Sequence, residues 1–366
     1  MKWFEKQLNF DIWLLASVLV LSFFGLLMVY STSFALSMEK YGNPYYFLKR
    51  EIVYVVVGLV LMAAAMHFNH EKLCSLSSLF MITAFVGLVV VFFFPASRGA
   101  HRWIKLPIFH PQPSELAKLA IILYFSHSLA KRQDKLKKFL PGLAPYLAVL
   151  GVYILLVLAE PDFGGALSIA LLGFTLLFTA GVKTTYLAGI VAVALPPGIY
   201  FMASEEYRWR RLVAFMEPWH YSQNYAFQLI QSFLAFGNGG LFGVGLGMSH
   251  QKLFYLPDAH TDFIFSVIAE ECGWIVVVAV ILVYVLFLTR GAMVAIFSPN
   301  KQSCYLAMGI TAMIAIPALI NMAVVTGMLP TKGLVLPFLS WGGSSLLTNM
   351  FAAGILLNIS AKRYQT

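Results

Sequence analysis

Residues 11–32 read DIWLLASVLVLSFFGLLMVYST, a run with one charge at its first position and none after it. At 1.5 Å per residue a helix over this stretch covers about 30 Å, the thickness of the hydrocarbon core of a bilayer. Lys2 and Lys6 ahead of it give the outline of a signal peptide. The run is too long for the apolar region of one, and nine comparable runs follow, so it reads as an uncleaved first helix. Working outward, apolar runs between charged or Pro/Gly breaks predict ten spans, near 11–32, 47–67, 73–94, 113–130, 142–159, 163–180, 184–203, 261–289, 303–327 and 341–361.

The composition fits that reading. Of 366 residues 60% are hydrophobic and 11% charged, more apolar surface than a soluble fold of this length can bury. The expected class is an all-α polytopic membrane protein, one membrane domain over 1–366. A net charge of +9 is too small in so apolar a chain for a nucleic-acid footprint, but it suits anionic headgroups of membrane lipids or phosphate-bearing substrates. Cys74, Cys272 and Cys304 have no paired spacing, so neither a disulfide framework nor a zinc site is expected.

Ten spans put both termini on one side. Thirteen lysines and arginines fall on that side and eleven on the other, the difference resting on the AKRQDKLKK loop. The positive-inside rule then places the termini and the 131–141 loop in the cytoplasm and the long 204–260 segment outside. The cations kept on the outer face against this rule fit either an anionic ligand or lipid headgroups.

Segment 204–260 opens with mixed aromatic, arginine and apolar residues at near-helical spacing, as in helices lying in the membrane interface. Gly237, Gly239, Gly240, Gly243, Gly245 and Gly247 follow. They have the look of a nucleotide loop but lack its strand and spacing, and a tight re-entrant turn is expected instead. The phrases DFGGALS at 162–168 and SWGGSSL at 340–346 are too short to establish a repeat.

A charge inside a span costs on the order of 3 kcal/mol, so each one needs a reason. Glu115 and Lys118 lie three apart, on one face at the outer end of the fourth span. Two readings stand. Either Ser114 caps the helix while Glu115 meets its dipole and Lys118 snorkels or neutralises Glu115, or the pair lines a polar cavity where Lys118 holds an anion. In LPDAHTDFIFSVIAEECGW, 256–274, Asp258, His260 and Asp262 gather at the mouth of the eighth span. Thr261 or Asp262 could cap that helix, and Asp262 could equally be a general base at a cavity mouth. Glu160 and Asp162 fall in a short outer turn, either solvated or part of a cavity wall. Lys332 and Ser340 flank the proline-held segment 330–337, where the amides near Gly342 and the hydroxyls of Ser344 and Ser345 could meet a diphosphate or simply allow helix contact.

Six ordered phrases, QPSELAKL, AEPDFGGAL, RLVAFMEPW, YAFQLIQS, LPDAHTDFIFSVIAEE and PTKGLVLPFLSWGGSSLL, together resemble the SEDS family of shape, elongation, division and sporulation proteins. The likeness covers nearly the whole chain. The HTDFIFSVIAEE and Thr331-Lys332-Gly333 segments look most like its division branch, and Trp341 stands where a tyrosine or phenylalanine is more usual. The resemblance implies ten spans and a peptidoglycan glycosyltransferase that polymerises lipid II at the outer face of the bacterial cytoplasmic membrane, at the division septum. It implies Asp262 as essential aspartate and Glu115 and Lys118 as a functional charged pair.

On this reading Asp262 takes the acceptor hydroxyl proton, and Lys118, with Arg102, Arg208, Arg210 and Lys332, faces the leaving diphosphate, with His260, Asp162 and Ser344 as further substrate contacts. No prosthetic group is expected. A divalent cation, Mg2+ or Mn2+, would be held mainly by the substrate's phosphates. The expected partners are a class B penicillin-binding transpeptidase and other division proteins. A lipid II transporter and a non-catalytic division scaffold are the alternatives. A transporter would favour broken helices and charges near mid-membrane, and the inner halves of the fourth and eighth spans supply no cation to match Glu270 and Glu271.

Overall fold

The computed structural model describes residues 10–96, 99–106, 109–136, 138–204, 206–221, 226–252 and 256–363. Among the described residues are thirteen α-helices: α1 Ile12–Tyr41, α2 Tyr46–His67, α3 His70–Ser75, α4 Ser77–Val90, α5 Pro113–Lys131, α6 Ala144–Ala159, α7 Phe163–Thr179, α8 Thr184–Ala203, α9 Glu206–Met216, α10 Phe227–Gly239, α11 Ile264–Ile296, α12 Lys301–Val325 and α13 Gly343–Arg363. Every one of the ten expected spans has a helix under it. Five helices are long and apolar enough to cross a membrane, and three shorter apolar ones accompany them. Val193, Leu195 and Ile199 of α8 and Val60 of α2 turn outward, as hydrocarbon permits and water does not.

Local signals explain where the helices start. The Asp11 side chain accepts from the amides of Trp13 and Leu14 to cap α1, Asp162 caps α7 through the Gly165 amide at 3.0 Å, and Asn300 caps α12 through Ser303 at 2.7 Å. Pro113 takes the first position of α5, where no amide donor is needed. Helices α5 and α12 form the centre of the bundle. Ala117, Leu119–Leu123 and Phe125 of α5 are buried against Ile310 and Ile314 of α12 and neighbouring apolar side chains. That position lets α5 carry a polar sequence without facing lipid.

Two expected spans are not single rods. The segment expected as 73–94 breaks at Leu76 into α3 and α4, with His70 at the start of α3 held by Asn358 and Ser303. The eighth span starts at Ile264 rather than 261, runs on to Ile296, and is broken at Gly273, whose φ of 77° and ψ of 177° are not helical. In an unbroken helix the amides of Trp274 and Ile275 would bond the carbonyls of Glu270 and Glu271. Here the Trp274 and Ile275 amides donate to Gly240 and Leu241 at 3.0 and 3.3 Å, and the Glu270 and Glu271 carbonyls accept from Val244 and Gly245 at 2.9 and 3.0 Å. The glycine-rich run is therefore a loop threaded into the break, and it pairs these four backbone groups. A Cβ at Gly239, Gly243 or Gly273 would collide with backbone across this junction, which is why three glycines meet there.

The carboxylates beside the break are paired as well. Glu271 accepts from Lys252 Nζ at 2.9 Å and Ser31 Oγ at 2.6 Å, and Glu270 accepts from Ser249 Oγ and from the Gln251 amide at 3.3 Å. The cation that matches Glu271 comes from the loop, from Lys252, and not from a span.

Candidate active site

A cavity of about 650 Å³ opens at the end of the bundle where α5, α7, α11 and α13 begin. Six pieces of chain wall it: Gly99–Arg102 ahead of α5, the Pro161–Gly164 turn, Arg211 and Leu212 of α9, Gln228 of α10, the Asp258–Phe263 turn, and Pro330–Gly333. Its charged lining is Arg102, Arg211 and Lys332 against Asp162, Asp258 and Asp262.

Asp262 stands at the end of a tight turn. Asp258, with a left-handed φ of 56°, accepts from the Thr261 and Phe263 amides at 3.0 and 3.4 Å, and the Thr261 hydroxyl also bonds its carbonyl. Phe263 occupies the cap position of α11, and no side chain caps that helix. The capping role expected for Thr261 or Asp262 is therefore not what holds them. Asp262 is half-buried on the cavity wall, and a Cβ built on Gly333 would lie 2.8 Å from its Oδ2. Glycine at 333 lets the carboxylate rest over the Lys332–Gly333 backbone.

On the facing wall, Arg102 donates to the Pro161 carbonyl, and Asp162 accepts from Gln112 Nε2 at 3.3 Å besides capping α7. The two carboxylates of the 160–162 turn are not solvated: Asp162 is buried, and Glu160 is fully buried with neither of its carboxylate oxygens hydrogen-bonded among the described residues. Burial, with Asp162 beside it and Arg102 opposing, pushes the Glu160 carboxyl up to about 8. Burial likewise lowers the ammonium of Lys332 below the usual lysine value.

The structure brings Asp262, Asp162, Arg102 and Lys332 together and leaves Glu115, Lys118, His260, Ser344 and Arg210 off the lining. Glu115 and Lys118 pair with each other at 2.7 Å inside the bundle, both side chains under 10% exposed. Lys118 does not snorkel, and Ser114 sits within the helix without a partner for its hydroxyl, so it does not cap α5. His260 packs its ring on Phe47 and accepts from the Trp341 amide at 3.0 Å through its carbonyl. Ser344 accepts from the Gln112 amide and donates to the His110 carbonyl, both at 3.0 Å, fastening the segment ahead of α5 to α13. Arg210 pairs with Glu206 on the exposed side of α9, and the Arg208 side chain lies outside the described residues. Arg211 and Gln228 are lining residues that sequence reasoning missed. A helix turns 100° per residue, so adjacent arginines of one run face different ways, and the run alone does not say which faces in.

The comparisons with known proteins agree along the whole chain. The FtsW/RodA/SpoVE family, described as cell cycle proteins, matches residues 12–365. Among relatives, the probable peptidoglycan glycosyltransferase FtsW of Geobacter sp. (strain M18) is 46% identical over 359 residues, 97% of each chain. That of Geobacter metallireducens is 42% identical over 358 residues, 97% of this chain and 95% of its own. Among solved structures, a chain of a peptidoglycan synthase complex that coordinates polymerization and crosslinking superposes with a TM-score of 0.79 at 25% identity, covering 98% of this chain and 99% of that one. The rod shape determining protein RodA of Thermus thermophilus superposes at 0.70 with 26% identity, covering 98% of each. The fold is thus that of a polytopic membrane protein with a charged cavity at one end of its bundle. The chain belongs to the FtsW/RodA/SpoVE family of cell cycle proteins.

Proposed function

We propose that this chain is a peptidoglycan glycosyltransferase that extends glycan strands from lipid II, with Asp262 as general base. The observation that carries the site is the sharing of one cavity by the Asp262 carboxylate and three cations, Arg102, Arg211 and Lys332. The 4-hydroxyl of the acceptor attacks C1 of the donor sugar, the bond from C1 to the diphosphate oxygen breaks, C1 inverts, and undecaprenyl diphosphate leaves with the bonding pair. Asp262 takes the hydroxyl proton as the new bond forms. Charge growing on the diphosphate is met by the cations that line the cavity, in surroundings partly shielded from water where such pairing is strong. Lys118 is kept from this task by its burial with Glu115, so we give that pair the role of holding the cavity end of α5. A divalent cation, Mg2+ or Mn2+, belongs in this scheme on the substrate's own phosphates.

The reading extends to setting. The expected location is the cytoplasmic membrane at the septum, with cytoplasmic termini and the cavity outside. The expected partner is a single-span class B penicillin-binding transpeptidase, supported by the likeness to a chain from a complex that couples polymerization to crosslinking. Purified full-length protein given lipid II in vesicles, with such a transpeptidase supplied, should yield glycan strands, and Asp262→Asn should not. Glycan made at a near-normal rate by Asp262→Asn would remove the base assignment.

One observation favours the transporter alternative: α11 is broken within its span, as transporter helices often are. Its freed backbone groups and both carboxylates are already engaged by the threaded loop and Ser31, which fits a closed structural joint better than a passage. Vesicles in which the protein moves labelled lipid II across the bilayer, yet never polymerises it with its partner present, would establish transport instead.

A further inference from the structure

The two strands of chain that bear Asp262 and Lys332 arrive from separate places in the sequence, and neither is in a helix where it meets the cavity. The Asp258–Phe263 turn leads into α11, and residues 329–342 run without helix between α12 and α13. A base and a cation acting on one sugar must keep a fixed separation, and two loops do not keep it by themselves.

Asn321 joins them. It lies one turn before the end of α12, is 1% exposed, and its single side-chain nitrogen donates to the Asp262 carbonyl at 2.7 Å and to the Leu334 carbonyl at 2.6 Å. The Asp262 carbonyl is not taken by α11: the Ser266 amide turns to Phe263 at 3.0 Å. A carboxamide nitrogen has two hydrogens, and both are used across the gap between the two strands. Beside this bridge the Gly333 backbone lies so close to the Asp262 carboxylate that a Cβ at 333 would sit 2.8 Å from Oδ2 and push the carboxylate aside.

We infer that Asn321 is a positioning residue for the transfer reaction: its amide staples the Asp262 turn to the Lys332–Leu334 strand and so fixes the general base relative to the diphosphate-binding cation. The inference rests on the proposed role of Asp262. Asn321 does not line the cavity, and its loss should give a defect in turnover, because misplacing a reacting group by about 1 Å can cost on the order of 100-fold in rate.

The test compares full-length Asn321→Leu, which keeps bulk and loses both donors, with Asn349→Leu. Asn349 is a similarly buried asparagine of α13 whose amide donates to Ser345 at 3.1 Å, so it measures the cost of losing a buried amide away from the cavity. With lipid II as substrate, Asn321→Leu should lower kcat by about 10- to 100-fold with KM within about twofold, and Asn349→Leu should keep kcat per folded molecule. Asn321→Ala decides in the same way should the leucine variant not accumulate. A normal kcat in either Asn321 variant, or a raised KM with kcat unchanged, overturns the staple. An equal loss of kcat in Asn349→Leu also overturns it. An active Asp262→Asn instead removes the base assignment beneath it, so the two failures are told apart.

Discussion

The two ends of the bundle handle their charges in opposite ways. At the end where α1 begins, Arg290 forks onto Asp11, with Nε at 2.8 Å from Oδ2, while the Asp11 amide donates to Ser360 and its carboxylate caps α1. Nearby, His70 lies between Asn358 at 2.6 Å and Ser303 at 2.8 Å, and Asn358 donates on to the Met66 carbonyl. Each polar group there ties one helix to another. At the cavity end, three cations and three carboxylates surround open space, and Glu160 is buried behind them without a hydrogen bond. A network closed on itself stabilises the fold, whereas groups that also line a cavity can meet a ligand there. Mutations at the two ends should therefore separate stability from turnover.

The largest effect expected is Asp262→Asn, a loss of roughly 10²- to 10⁴-fold in glycan synthesis with the melting temperature unchanged. Parallel loss of folding and activity would make the cavity end a second structural network and break the contrast. The converse change is Arg290→Met at the far end. It leaves the Asp11 carboxylate buried without its cation and should cost about 3 kcal/mol of stability, read by thermal denaturation, while folded molecules keep their turnover.

Arg211→Ala and Arg210→Ala then sharpen the comparison within one helix. The first removes a cation from the cavity wall and should slow synthesis by about 10- to 100-fold, whereas the second removes an exposed surface pair and should change little. Equal effects would mean that the charge of α9 as a whole matters, not the face it turns inward.

The smallest effect is a pH dependence. The carboxyl of Glu160 is raised from 4.5 to about 8 in the folded protein, so between those values the folded state keeps a proton that the unfolded chain has lost. Folding is then progressively disfavoured as pH rises through that window. Melting temperatures measured from pH 5 to 8 should fall for the wild type and fall less for Glu160→Gln. Identical slopes would show that Glu160 keeps its charge in the fold.

Much of this was legible beforehand. The observed caps, Asp11, Asp162 and Asn300, act within one turn of chain, yet the caps read from sequence were Ser114 and Thr261 or Asp262, none of which caps its helix. Asp262 stood out as a carboxylate at a helix mouth. Glu115 and Lys118 stood out just as clearly, yet they are buried against each other, because a sequence marks a charge as costly without saying whether a partner or a cavity answers the cost. Arg211 was hidden among its neighbours, and Lys252 stands 19 positions before Glu271, so only the threaded loop brings the two together.

The sequence by itself determined that the chain is a helical membrane protein, roughly where its long helices lie, and which family it belongs to. Those properties come from hydropathy summed over about 20 residues and from short motifs, both local along the chain. Tertiary structure decided which charges share a cavity, that the Gly239–Gly247 loop fills the break at Gly273, and that Asn321 joins Asp262 to Leu334 across 59 and 13 residues of sequence. These are meetings between distant segments. They depend on how helices pack and turn about their axes, and no window of sequence contains both partners.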